Sequence, residues 1–253
     1  MKYSYILLSV VLSLSFPLHS ASYNSLKNRQ EQIISNLFDQ LVQKQISAEF
    51  SIERSVNALL TSYPEQIESV LKVALAKYPL EYRQIMCGAL RAEPALASDI
   101  IAILLQSNIA DSTDIISIAL DEEPAYATEI VNTALIHHPD QLENIVRVAI
   151  STEPVMAKNV VKNTMKSYPE KLLDILVIAV KTFPDQVAST VRDALRLSIN
   201  SSEVITVAVR TSHKEKTREI ISTAIKSGVS EASATAAAID GGAKHSDLVR
   251  IYL

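Results

Sequence analysis

The chain has 253 residues, 48% of them hydrophobic and 21% charged, with a formal net charge of −4. That is enough apolar material for one or two domains with a sizeable core, and too little charge for wholesale disorder. Four glycines, one cysteine and the mildly acidic balance argue against glycine-rich phosphate loops, an internal disulfide framework, and electrostatic binding to nucleic acid or anionic membranes.

The first residues have the layout of a secretory signal: Lys2, an apolar run from Ile6 to Phe16, and the small residues Ser20 and Ala21. The run is too short to cross a bilayer. We therefore expect a signal peptide over 1–20, cleaved after 20 or 21, and a mature chain exported to the periplasm or beyond with no transmembrane segment. Residues 21–48 follow as an N-terminal capping helix, in which Ile33, Ile34, Leu37, Phe38, Leu41 and Val42 recur at i, i+3, i+4 spacing.

Residues 49–228 form a repeat array. Glu49–Tyr63 is a weak first copy without a leading proline; later copies begin at Pro64, Pro79, Pro94, Ile109, Pro124, Pro139, Pro154, Pro169 and Pro184, a fixed interval of fifteen. Positions 4, 7, 8, 11 and 12, which make one face of a helix, are apolar in most copies, with exceptions such as Thr190 at position 7. Position 11 is alanine in Ala74, Ala89, Ala119, Ala134, Ala149, Ala179 and Ala194, which lets neighbouring helices approach closely. Proline is harmless at a first helical position, and it drives the residue before it out of the helical region. One residue therefore stops one helix and starts the next. Fifteen residues predict a helix of about eleven and a link of about four, so successive helices run antiparallel. At proline-free starts, Asp111 with Asp114, Asn200 with Glu203 and Ser212 with Glu215 resemble capping boxes.

A longer period of thirty is superimposed. EPALAS, EPAYAT and EPVMAK begin at Glu93, Glu123 and Glu153, while the copies between them start differently. Position 10 is polar at Thr133 and Asn163 but apolar at Ile118, Val148 and Ile178. Two helix roles follow, with broader apolar faces after Pro139 and Pro169, as in a curved solenoid with an inner and an outer layer. Past Pro184 the pattern loosens: Val204–Val209 runs one residue early, and Ile220–Ile225 returns to register. Residues 229–253 read as a C-terminal cap, alanine-rich over Ala232–Ile239, broken at Gly241 and Gly242, and closed by a short helix over Ser246–Leu253.

The expected fold is all-α: an α-solenoid of antiparallel helical hairpins whose fifteen-residue helices pair into repeats of about thirty. Over roughly residues 49–228 this plan resembles the α-solenoids of the HEAT or tetratricopeptide kind. Neither family's signature residues are present, and thirty is shorter than either unit, so no activity carries over.

No nucleophile elbow, metalloprotease helix or serine–histidine–acid set occurs, and four-residue links leave little room for catalytic loops. No cofactor is implied. His137 and His138 beside Pro139 lack a partner histidine at helical spacing, and His138 occupies the pre-proline slot taken elsewhere by Tyr63, Tyr78, Tyr168 and Phe183. Cys87 falls on a polar-side position and reads as an inert, partly covered thiol, with pairing to another chain as the alternative.

The sharper expectation concerns residues thirty apart, which a regular stack aligns along one edge. Glu93, Glu123 and Glu153 make an acidic row; Leu96, Tyr126 and Met156 make an apolar row beside it. Together they suit a protein or peptide partner with basic and apolar side chains. The alternative is that the apolar row packs on the neighbouring link and the glutamates are solvated. Three functions remain open: an exported non-enzymatic binding scaffold, an envelope enzyme or enzyme subunit with its site in the concavity, and a structural spacer.

Overall fold

A computed structural model describes residues 18–44 and 51–244. The apolar run of the expected signal peptide and the closing helix over 246–253 lie outside the described residues. Fourteen α-helices follow one another with no strand among the described residues: α1 Leu18–Lys44, α2 Ser51–Ser62, α3 Ile67–Lys77, α4 Tyr82–Ala92, α5 Ala97–Ser107, α6 Ser112–Glu122, α7 Ala127–His137, α8 Leu142–Thr152, α9 Ala157–Ser167, α10 Leu172–Thr182, α11 Val187–Leu197, α12 Ser201–Thr211, α13 Thr217–Lys226 and α14 Glu231–Asp240. The chain is an all-α helical-repeat solenoid.

The fifteen-residue period has a simple physical content. Each repeat helix from α3 to α12 has eleven residues. In the regular links one residue leaves the helical region, at φ about −130° and ψ about 65° for Tyr78, Glu123, His138 and Tyr168. Three residues then form a 3₁₀ turn that begins with proline, as at Pro79–Glu81 and Pro139–Gln141. Proline thus opens the 3₁₀ turn and the α-helix begins three residues later, so the orphan N–H groups at each helix start are met partly by the turn. The hinge residue stays in the hydrogen-bond ladder: His138 N–H donates to Ala134 O at 2.8 Å, and its own carbonyl accepts from Gln141 N–H at 3.0 Å.

Each helix packs on its sequence neighbour and on the helix two further along. Even-numbered helices therefore form one layer and odd-numbered helices the other. Hydrogen bonds between helices two apart join residues about one repeat distant, such as Asn163 Nδ2 to Thr128 Oγ1 at 3.3 Å and the hydroxyls of Ser117 and Thr152 at 3.4 Å. Odd helices bury positions 4, 7, 8, 11 and 12, shown by Ala127, Ile130, Val131, Ala134 and Leu135 of α7. The even helices α6 and α10 bury the same positions and add position 10, at Ile118 and Ile178. Thr164 takes the alanine position in α9, where its buried hydroxyl donates to Val160 O at 2.8 Å.

Three local expectations need correction. Cys87 is not on a polar side: it is 7% exposed, because the run Ile85–Leu90 of α4 is buried throughout. Gly88 makes this burial possible, since a Cβ there would lie 2.4 Å from the Glu53 carbonyl oxygen of α2. Of the three expected capping boxes only Asn200 caps, its side chain accepting from Glu203 N–H at 3.2 Å. Asp111 makes no side-chain cap bond, and Ser212 instead donates to Val209 O at 3.4 Å. A further cap forms at Ser230, which accepts from Ser233 N–H at 3.2 Å.

The early register of α12 has a cause in its links. Without a proline, Ser198–Asn200 makes a shorter connection before α12, and the longer stretch Ser212–Lys216 after it restores the interval. The capping helix α1 runs from Leu18 to Lys44 and so begins ahead of the expected cleavage position.

Candidate functional site

Links that follow even helices all lie along one edge of the stack, which places Glu93, Glu123 and Glu153 on a common edge as hinge residues. Their carbonyls accept from the N–H groups of Leu96, Tyr126 and Met156 at 3.0, 3.0 and 3.1 Å. All six side chains are half-buried. Leu96, Tyr126 and Met156 pack against the main hydrophobic core, so much of the apolar row serves the fold. Burial, and then the neighbouring carboxylate of Glu122, pushes the Glu123 carboxyl up from its ordinary value. Among the described residues no side-chain hydrogen bond or ion pair joins any two of the six.

A second surface was not singled out from the sequence. Two adjoining hollows of about 580 and 400 Å³ lie across the outward face of the even layer, over α6, α8 and α10, and both are lined by Arg147 and Thr182. The larger is rich in hydroxyl and amide groups, including Thr113, Ser117, Asn144, Ser151 and Thr152. Arg147 Nη2 donates to Asn144 Oδ1 at 2.7 Å, which ties the guanidinium to its own helix beside the groove. The smaller hollow adds charge of both signs: Asp140, Glu143, Asp174, Lys171 and Lys181. Thr152 directly precedes the hinge Glu153, so the groove reaches the end of α8 next to the expected edge.

These residues obey the same thirty-residue offset. Asp114, Asn144 and Asp174 form one row, and Ser117, Arg147 and Val177 another. The signal that finds them is the thirty-residue step applied to mid-helix positions instead of links.

Further along the even layer, Arg91 of α4 pairs with Glu122 of α6, Nε to Oε2 at 2.8 Å, and with Glu53 of α2. Cys87 lies beneath this rung. Burial first, then Glu122 and Glu53, push its thiol up to about 12, which removes the thiolate that nucleophilic or metal-binding chemistry requires. His138 fills a hinge slot, and no group of three or more His, Cys, Asp or Glu side chains among the described residues is placed to hold a metal ion. No described helix is long and apolar enough to cross a membrane. Comparison with protein-family models, curated proteins and solved structures finds no match.

Proposed function

We propose that the chain is an exported, non-enzymatic scaffold that binds a protein or peptide segment in the groove over α6, α8 and α10. The observation that carries this reading is the continuity of the groove across three parallel helices, with hydrogen-bonding side chains repeated at each step. Such a surface offers an extended or helical segment several equivalent polar anchors and charges of both signs, the usual use of a solenoid face. The expected acidic row meets this groove through Glu153, next in sequence to the groove residue Thr152, and would contact the same partner at its margin. The leader-like residues 1–20 support export.

The test is a pull-down from envelope extract with the tagged mature chain, alongside variants Ser117→Arg and Thr152→Arg. Both side chains face the groove, so these substitutions fill it without entering the core. A partner captured by the parent and lost from both variants supports the proposal. Identical capture by all three, or recovery of the chain in the cytosol with its first twenty residues intact, contradicts it.

A further inference from the structure

The N-terminal end of the stack departs from the rule for a solenoid terminus. A terminal helix has no neighbour on its outer side and normally presents a polar face there. Here Ile33 is 55% exposed, Leu37 37% and Tyr63 50%. Together with Ile34, Leu59 and Val70 they line an apolar groove of about 420 Å³ between α1, α2 and the start of α3. Its rim carries Arg29 and Glu65, of opposite charge, and a hydrogen bond between Gln30 and Gln66 ties α1 to the turn before α3.

Three stretches of the chain lie outside the described residues. Residues 1–17 belong to the segment expected to be removed on export. Residues 45–50 join the C-terminus of α1 to the N-terminus of α2. Lys44 and Ser51, which they connect, lie at the opposite end of that hairpin from Tyr63 and Arg29. The third stretch, His245–Leu253, reads HSDLVRIYL and carries Leu248, Val249, Ile251, Tyr252 and Leu253 beside Asp247 and Arg250.

We propose that the N-terminal groove is the docking site for residues 248–253 of a second copy of this chain. Length excludes docking within one copy. Helices packed at roughly 8–10 Å place the α13–α14 pair about 50–60 Å along the stack from the α1–α2 pair, whereas nine residues span at most about 32 Å when extended. Charge agrees as well, since Asp247 and Arg250 can face Arg29 and Glu65 across a tail that is otherwise apolar. Docking of tail into groove is heterologous, so it does not close on two copies and builds a head-to-tail chain. This contact is separate from the groove over α6, α8 and α10 and requires no other protein, so its failure would leave the proposed partner binding untouched.

The experiment measures self-association of the purified mature chain by sedimentation velocity, using two complementary variants. Ile33→Glu disables the groove at an exposed position, and Leu248→Asp with Ile251→Asp disables the tail. Circular dichroism verifies that each variant keeps the parent's helicity. The parent should grow in mass with concentration, and each variant alone should associate about tenfold or more weakly. A mixture of the two should form a one-to-one dimer and nothing larger, because only one intact groove and one intact tail remain. Glu65→Arg should weaken parental association, and adding Arg250→Glu should restore it. A parent that stays monomeric at the highest attainable concentration, association that survives in either variant, or a mixture that fails to pair would overturn the proposal.

Discussion

A Cβ placed on Gly88 would lie 2.4 Å from the carbonyl oxygen of Glu53, so α4 rests on α2 backbone against backbone. Asn57 Nδ2 donates to Gly88 O at 3.3 Å across the same contact. Glycine in a helix interior ordinarily costs about 1 kcal/mol relative to alanine, yet here Gly88→Ala must force two helices apart. It should destabilise by about 1–3 kcal/mol, the range of an overpacked core. Chemical denaturation of parent and variant measures this, and a stabilising Gly88→Ala would show that the close approach is absent.

Cys87 lies at the edge of that contact, below the Arg91–Glu122 pair. Its folded thiol is pushed up to about 12 from an ordinary 9.0, first by burial and then by Glu122 and Glu53. The neutral thiol therefore adds stability that is complete below pH 9.0 and is lost as pH climbs toward the folded value. Relative to Cys87→Ala, the parent should lose stability progressively above pH 9 and show no such trend below it. Unfolding midpoints of the pair across that range check the sign. Thiol reagents at neutral pH should label the folded chain far more slowly than the unfolded one.

Tyr126 and Met156 decide how much of the flanking edge is free to bind. Both are half-buried against the core, so Tyr126→Ser with Met156→Ser should cost stability, by about 1–3 kcal/mol in total given partial burial. A double variant that melts like the parent would mean that the row lies on the surface and belongs to a binding face.

The fold was legible because proline punctuation and helix periodicity report the same local physics in every copy. Eleven-residue helices, four-residue links and the early register of α12 all follow from where Pro64 to Pro184 stand and where they are missing. Burial of Cys87 was not legible, because it depends on Gly88 admitting α2, a contact between helices that no period encodes. The capping boxes at Asp111 and Ser212 failed for a related reason: side-chain geometry at a helix start depends on the incoming link, and Ser212 enters a longer one. The groove was missed because Asp114, Asn144, Arg147 and Thr182 occupy outward positions, where periodicity marks side chains only as polar.

Deleting whole repeats tests most directly that the structural unit is thirty residues of two unlike helices. Removing residues 124–153 joins Glu123 to Pro154, preserving the hinge and the alternation of layers. Removing only 124–138 joins Glu123 to Pro139, preserving the hinge but setting α8 in the odd layer, where position 10 faces a different environment. Thermal unfolding followed by circular dichroism should show one cooperative transition for the thirty-residue deletion, and loss of cooperativity or of helicity for the fifteen-residue deletion. Equally cooperative unfolding of both shortened chains would mean that the two layers are interchangeable, and it would contradict the thirty-residue unit.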